Sequence, residues 1–159
     1  MEQILSIKNK EIHFRFIEDA NCWQTKTIID GLEIEIEIDM QYHNGHEIDW
    51  EHFKNFFTFV NQENRFRSLI KDSKNLVAAL GKAFFRDCYD EVFDYKMHFH
   101  NSILYNGKTE GQFTENGYSY SLVYIYYAER EDGIHADNYA NYLVDIENHF
   151  IIGTRRQQF

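Results

Sequence analysis

Glu33, Glu35, Glu37 and Asp39 occupy alternate positions in "GLEIEIEIDMQYHNGHEIDW", Glu47, Asp49 and Glu51 follow closely, and no lysine or arginine lies between Asp30 and Glu51. On a strand, side chains at i and i+2 share a face roughly 6.5–7 Å apart. Two exposed carboxylates at that distance repel by only about 0.6 kcal/mol in water, and by less in salt. The pattern is therefore compatible with a solvated strand face whose charges discourage edge-to-edge pairing. If the loop and the start of the following helix stay beside the strand, the potentials of all seven carboxylates add and would steer a basic protein partner. A calcium site is a poorer fit, because calcium takes converging oxygens while alternate strand carboxylates project in parallel, and there is no EF-hand loop. A glycosidase-type pair is allowed by distance, yet nothing marks one carboxyl as acid and its neighbour as base.

Five of the eight histidines form two groups in the sequence. His98 and His100 would share a face if "MHFH" is a strand, and His43, His46 and His52 form a second cluster. A zinc site needs at least a third ligand, and catalysis needs an open position as well. Neither cluster has HExxH spacing, so no metal ligand and no cofactor is assigned. A metal-dependent enzyme centred on His98 and His100 stands as the alternative function. Tyr118, Tyr120, Tyr124 and Tyr126 fall on one strand face. Such a row could stack bases or sugars, or serve self-association in a structural or oligomeric module, but tyrosine also suits plain sheet packing.

The elements that must position these residues follow from periodicity. Ile12, Phe14 and Phe16 alternate with His13 and Arg15 after the polar "KNKE", which reads as a turn. "CWQTKTII", Asp30-Gly31 and "LEIEIEID" have the form of a hairpin closed by a type I′ turn. A two-residue loop there pairs Ile29 with Leu32, Thr27 with Ile34, Thr25 with Ile36 and Trp23 with Ile38, one consistently apolar side. Trp50, Phe53, Phe57 and Val60 recur at helical spacing, with Asp49 or Asn44 as the cap. A second helical stretch is expected from about Asn64 to Asp90, with a possible break near Asp72-Ser73, and strands resume from about Asp94. Hairpins are expected around Asn116-Gly117 and Asn148-His149, and apolar residues on both faces of the last pair suggest a central, covered position. The order of strands, helices and strands implies a single α+β domain over 1–159: an antiparallel sheet of N- and C-terminal hairpins, with two or three helices on one face.

Composition narrows the function classes. Hydrophobic residues at 43% and aromatics at 17% argue against disorder. A formal charge of −10 disfavours nucleic acid and anionic membrane. No apolar run approaches the roughly 20 residues that span a bilayer, and the first residues lack signal-peptide character. Cys22 and Cys88, without CxxC spacing, are expected to be reduced in a cytoplasmic protein. There is no P-loop, no GxGxxG after a strand and no GxSxG, so no catalytic residue is assigned and the balance leans away from an enzyme.

The segments "IDGLEIEIEID", "WEHFKNFFTFV" and "YLVDIENHFIIGTRR" give a layout that resembles small uncharacterised bacterial α+β proteins, some of them immunity proteins to polymorphic toxins. That resemblance implies acidic neutralisation of a basic toxin. It agrees with the expectation of an acidic protein-binding domain with Glu33, Glu35, Glu37, Asp39, Glu47, Asp49 and Glu51 as contacts.

Overall fold

In the computed structural model, residues 1–40, 48–62, 65–84, 89–99, 118–130, 133–137 and 139–158 are described. Their order is β1 (Glu2–Ile7), β2 (Lys10–Ile17), β3 (Cys22–Ile29), β4 (Leu32–Asp39), α1 (Trp50–Val60), α2 (Arg65–Phe84), β5 (Tyr89–Phe99), β6 (Ser119–Arg130), β7 (Gly133–Ala136), β8 (Ala140–Glu147) and β9 (Phe150–Gln158). The nine strands form one sheet in the order β1-β2-β3-β4-β5-β6-β8-β9, with β7 pairing the far end of β6. The α+β class expected from the sequence holds.

The Asp30-Gly31 turn has φ of 49° and 73°, the left-handed pair that a type I′ turn requires. The register follows from it: Ile29↔Leu32, Thr27↔Ile34, Thr25↔Ile36 and Trp23↔Ile38. Ile34, Ile36 and Ile38 are consequently buried, while Glu33 is exposed and Glu35, Glu37 and Asp39 are half-buried. The turn is also tied to the helices. Asp30 N donates to Asn61 Oδ1 at 3.1 Å at the end of α1, and Arg67 N, in the first turn of α2, donates to Asp30 Oδ2 at 3.1 Å.

Both helices cover the face bearing the isoleucines. Asp49 caps α1 by accepting from His52 N at 2.9 Å. Phe53, Phe56, Phe57 and Val60 then enter the core at helical spacing, each burial contributing about 1.5–3 kcal/mol. Phe14, Trp23 and Trp50 close this end of the core, with ring centroids 5.2 Å apart in both the Phe14–Trp50 and Trp23–Trp50 pairs. α2 lies close against β6: a Cβ on Gly81 would sit 2.4 Å from Tyr126 Cε2.

Three expectations are corrected. α2 runs unbroken through Asp72-Ser73 and ends at Phe84, and Asp90 belongs to β5. The sheet is not wholly antiparallel, since β4 and β5 pair in parallel, with Glu37↔His98 and Ile38↔Phe99. The helices provide the crossover that a parallel pair needs. Finally, β8 is covered, but β9 is the last strand of the path, with Phe150 and Ile152 exposed. The alternative cap Asn44 and the expected hairpin turn at Asn116-Gly117 lie outside the described residues, as does Cys88. Cys22 is buried.

Candidate functional site

The alternation of β4 sends Glu33, Glu35 and Glu37 to the sheet face opposite α1 and α2. Cross-strand neighbours temper their charge. Lys26 Nζ lies 3.7 Å from Glu35 Oε2, with the Lys26 side chain exposed and that of Glu35 half-buried, and Gln24 Nε2 donates to Glu37 Oε2 at 3.1 Å. A surface pair such as Lys26–Glu35 contributes at most about 1 kcal/mol. No ion pair to Glu33 occurs among the described residues; in register it faces Ile28, which is 57% exposed. Further across the sheet Ile125 is also exposed. The open face thus mixes carboxylates with accessible aliphatic side chains.

The seven carboxylates singled out from the sequence do not form one surface. Glu33, Glu35, Glu37 and Asp39 belong to β4. Asp49 is committed to capping α1, and Glu51, in the first turn of that helix, lies 3.4 Å from Lys54 Nζ. These two sit in the helical layer, on the other side of the sheet. Glu47 lies outside the described residues.

Register places His98 between Glu37 and Ser121; His100 lies outside the described residues. Ser121 is buried and its Oγ donates to Asp145 Oδ1 at 2.6 Å. Arg155 Nε meets the same carboxylate at 3.1 Å. The buried hydroxyl and Arg155 thus share one carboxylate across neighbouring strands, an arrangement that suits a structural contact. Among the described residues, no three His, Cys, Asp or Glu side chains converge where a metal ion could sit. Tyr120, Tyr124 and Tyr126 are buried against the helices. They are core rather than a stacking platform or an interface, and burial pushes the Tyr120 hydroxyl well above its usual range, with Tyr124 adding to it.

Two polar clusters carry little signal in the sequence. At one, Arg156 Nε and Nη2 contact Asp137 Oδ2 and Oδ1 at 2.9 and 3.1 Å, and Tyr142 Oη donates to Asp137 Oδ2 at 2.9 Å. Burial alone would raise the Asp137 pKa, but hydrogen bonds from Arg156, Tyr142 and the Tyr139 amide outweigh it and hold the carboxyl below the usual range. Burial and then the Asp137 contact push Tyr142 up to about 12. At the other, His52 packs on Tyr118 with ring centroids 4.9 Å apart, and His149 stacks on Phe59 at 4.1 Å. Burial lowers both histidine pKa values; Asp49 opposes this at His52, and Arg65 reinforces it at His149. His52 Nε2 and both His149 ring nitrogens are buried without a hydrogen-bond partner among the described residues.

None of the described helices is long and apolar enough to cross a membrane. Comparison with known proteins finds no matching family model, no matching curated protein and no matching solved structure.

Proposed function

We propose that the chain is a protein-binding domain that presents the open face of its sheet, centred on Glu33, Glu35 and Glu37, to a basic protein partner. The observation that supports this most directly is the pairing of exposed Ile28 with exposed Glu33 on that face. Accessible aliphatic surface beside a carboxylate without an ion pair among the described residues offers both an apolar contact and a charge to complement. A net charge of −10 would speed the approach of a cationic partner. Asp39, at the end of the same strand, extends the surface. Asp49 and Glu51 contribute through the long-range field rather than by contact. Neutralisation of a basic toxin is one form that such binding would take.

The test is affinity capture from native lysate at low and high salt, comparing the parent with a Glu33→Gln/Glu35→Gln/Glu37→Gln variant. These side chains make only partly exposed contacts, so the variant is expected to keep the parent's circular dichroism spectrum. A partner held by the parent at low salt, released by salt and missed by the variant is the expected result. Equal capture by both proteins would refute the assignment.

A further inference from the structure

We propose that the split between β2 and β3 is a binding slot for an extended, acidic peptide segment, which joins β3 as an added strand. β2 and β3 pair only over Arg15↔Gln24, Phe16↔Trp23 and Ile17↔Cys22, although each strand has eight residues. Before Arg15, β2 stays paired to β1 and carries Ile12 and Phe14 into the core over α1. β3 stays paired to β4 along its whole length. The two strands therefore part company within the sheet.

The geometry of the turn says which backbone groups this exposes. A two-residue type I′ turn makes Ile29↔Leu32 a hydrogen-bonded pair, and antiparallel pairs alternate thereafter. The N–H and C=O groups of Ile29, Thr27 and Thr25 accordingly point to β4, and those of Ile28 and Lys26 point toward β2, beyond the end of its ladder. Lys10 Nζ donates to Ile28 O at 2.8 Å. An ammonium thus occupies the position where the N–H of a neighbouring strand would lie.

Two cavities flank the split. One, of about 340 Å³, is lined by residues that include Ile12, Phe57, Lys8 and Lys10. The other, of about 390 Å³, is lined by residues that include His13, Arg15, Thr25, Lys26 and Glu35. In a chain of net charge −10, the two linings hold Lys8, Lys10, Arg15 and Lys26 against only Glu2 and Glu35. An inserted strand points alternate side chains to opposite faces. On the helix side apolar side chains would meet Ile12 and Phe57, and on the open face carboxylates would meet Arg15 and Lys26. Main-chain bonds to β3 supply affinity in this mode of recognition, and the pockets supply selectivity. The slot borders the acidic face proposed above and shares Ile28 and Glu35 with it, but it takes a ligand of opposite charge and does not depend on that reading.

The test uses the full chain and two labelled, end-capped peptides of roughly seven residues, long enough to follow the free stretch of β3. One alternates glutamate with valine, the other lysine with valine. Fluorescence anisotropy at low salt is combined with amide hydrogen exchange at Lys26 and Ile28, followed by NMR. The expected result is saturable binding of the glutamate peptide, at least about tenfold tighter than the lysine peptide, with slower exchange at both amides. A Lys8→Glu/Lys26→Glu variant, altered only at exposed side chains, is expected to lose that preference while keeping the fold. No saturable binding, equal binding of the two peptides, or binding that leaves the two amides unprotected would each overturn the proposal.

Discussion

Replacing Arg156 with methionine is expected to destabilise the protein by about 3 kcal/mol. The Asp137 side chain is 1% exposed and that of Arg156 11%, so this pair is shielded from water. Removing one partner of a buried pair costs about 3–5 kcal/mol, because the remaining charge is left uncompensated. Here Asp137 would keep the Tyr142 hydroxyl at 2.9 Å and the Tyr139 amide at 3.2 Å, which places the cost at the lower end. For a chain of this length about 3 kcal/mol corresponds to a fall in Tm of roughly 6–12 °C. The pH dependence supplies an internal check. The folded-state pKa of Asp137 is depressed, so its contribution is present above the unfolded carboxylate value of about 3.9 and is lost as pH falls through the folded value. Urea unfolding of parent and Arg156→Met should therefore differ fully at pH 7 and converge progressively below about pH 4. A difference within about 0.5 kcal/mol at pH 7, or a penalty independent of pH, would refute the reasoning.

Other substitutions probe the elements that hold the two faces apart. Asp49→Ala removes the acceptor for the His52 amide and should cost about 1 kcal/mol in denaturant titrations. Gly81→Ala would improve helix propensity by about 1 kcal/mol. Its Cβ would however meet the buried Tyr126 ring at 2.4 Å, so thermal unfolding should show net destabilisation. His52 and His149 have folded pKa values below the unfolded value of about 6.5, so the unfolded chain takes up protons first. Stability should fall as pH drops below about 6.5, and a His52→Gln/His149→Gln variant should show a shallower slope between pH 7 and pH 5.

The parts of the fold legible in the sequence are those set by local chemistry. Asp30-Gly31 fixes a turn, the turn fixes a register, and the register decides which β4 side chains are buried. Asp49 is readable as a cap because its carboxylate needs only the amide of His52, three residues on. What depends on distant pairing was not legible. The parallel contact between β4 and β5 joins segments separated by both helices, and no residue in either strand announces it. Antiparallel pairing with β6 explains the misplaced end of α2: Tyr89-Asp90 continues a plausible helical pattern, yet its backbone is engaged by β6. The acidic cluster shows the same limit. Glu33 and Asp49 lie close in sequence, but strand alternation and helix capping send them to opposite sides of the sheet. Asp137, Tyr142 and Arg156 meet only through packing and pairing at the end of β8 and β9, so their buried ion pair leaves no spacing signature.

Site-specific photo-cross-linking most directly tests whether the open face of the sheet binds a partner. A photoreactive side chain would be placed at exposed Ile28 on that face, and in a control at exposed Lys71 on α2, in the opposite layer. A basic protein cross-linked from position 28, lost at high salt and absent from position 71, is the expected result. Cross-linking from position 71 alone, or from both positions equally, would contradict the assignment of the acidic strand as a binding surface.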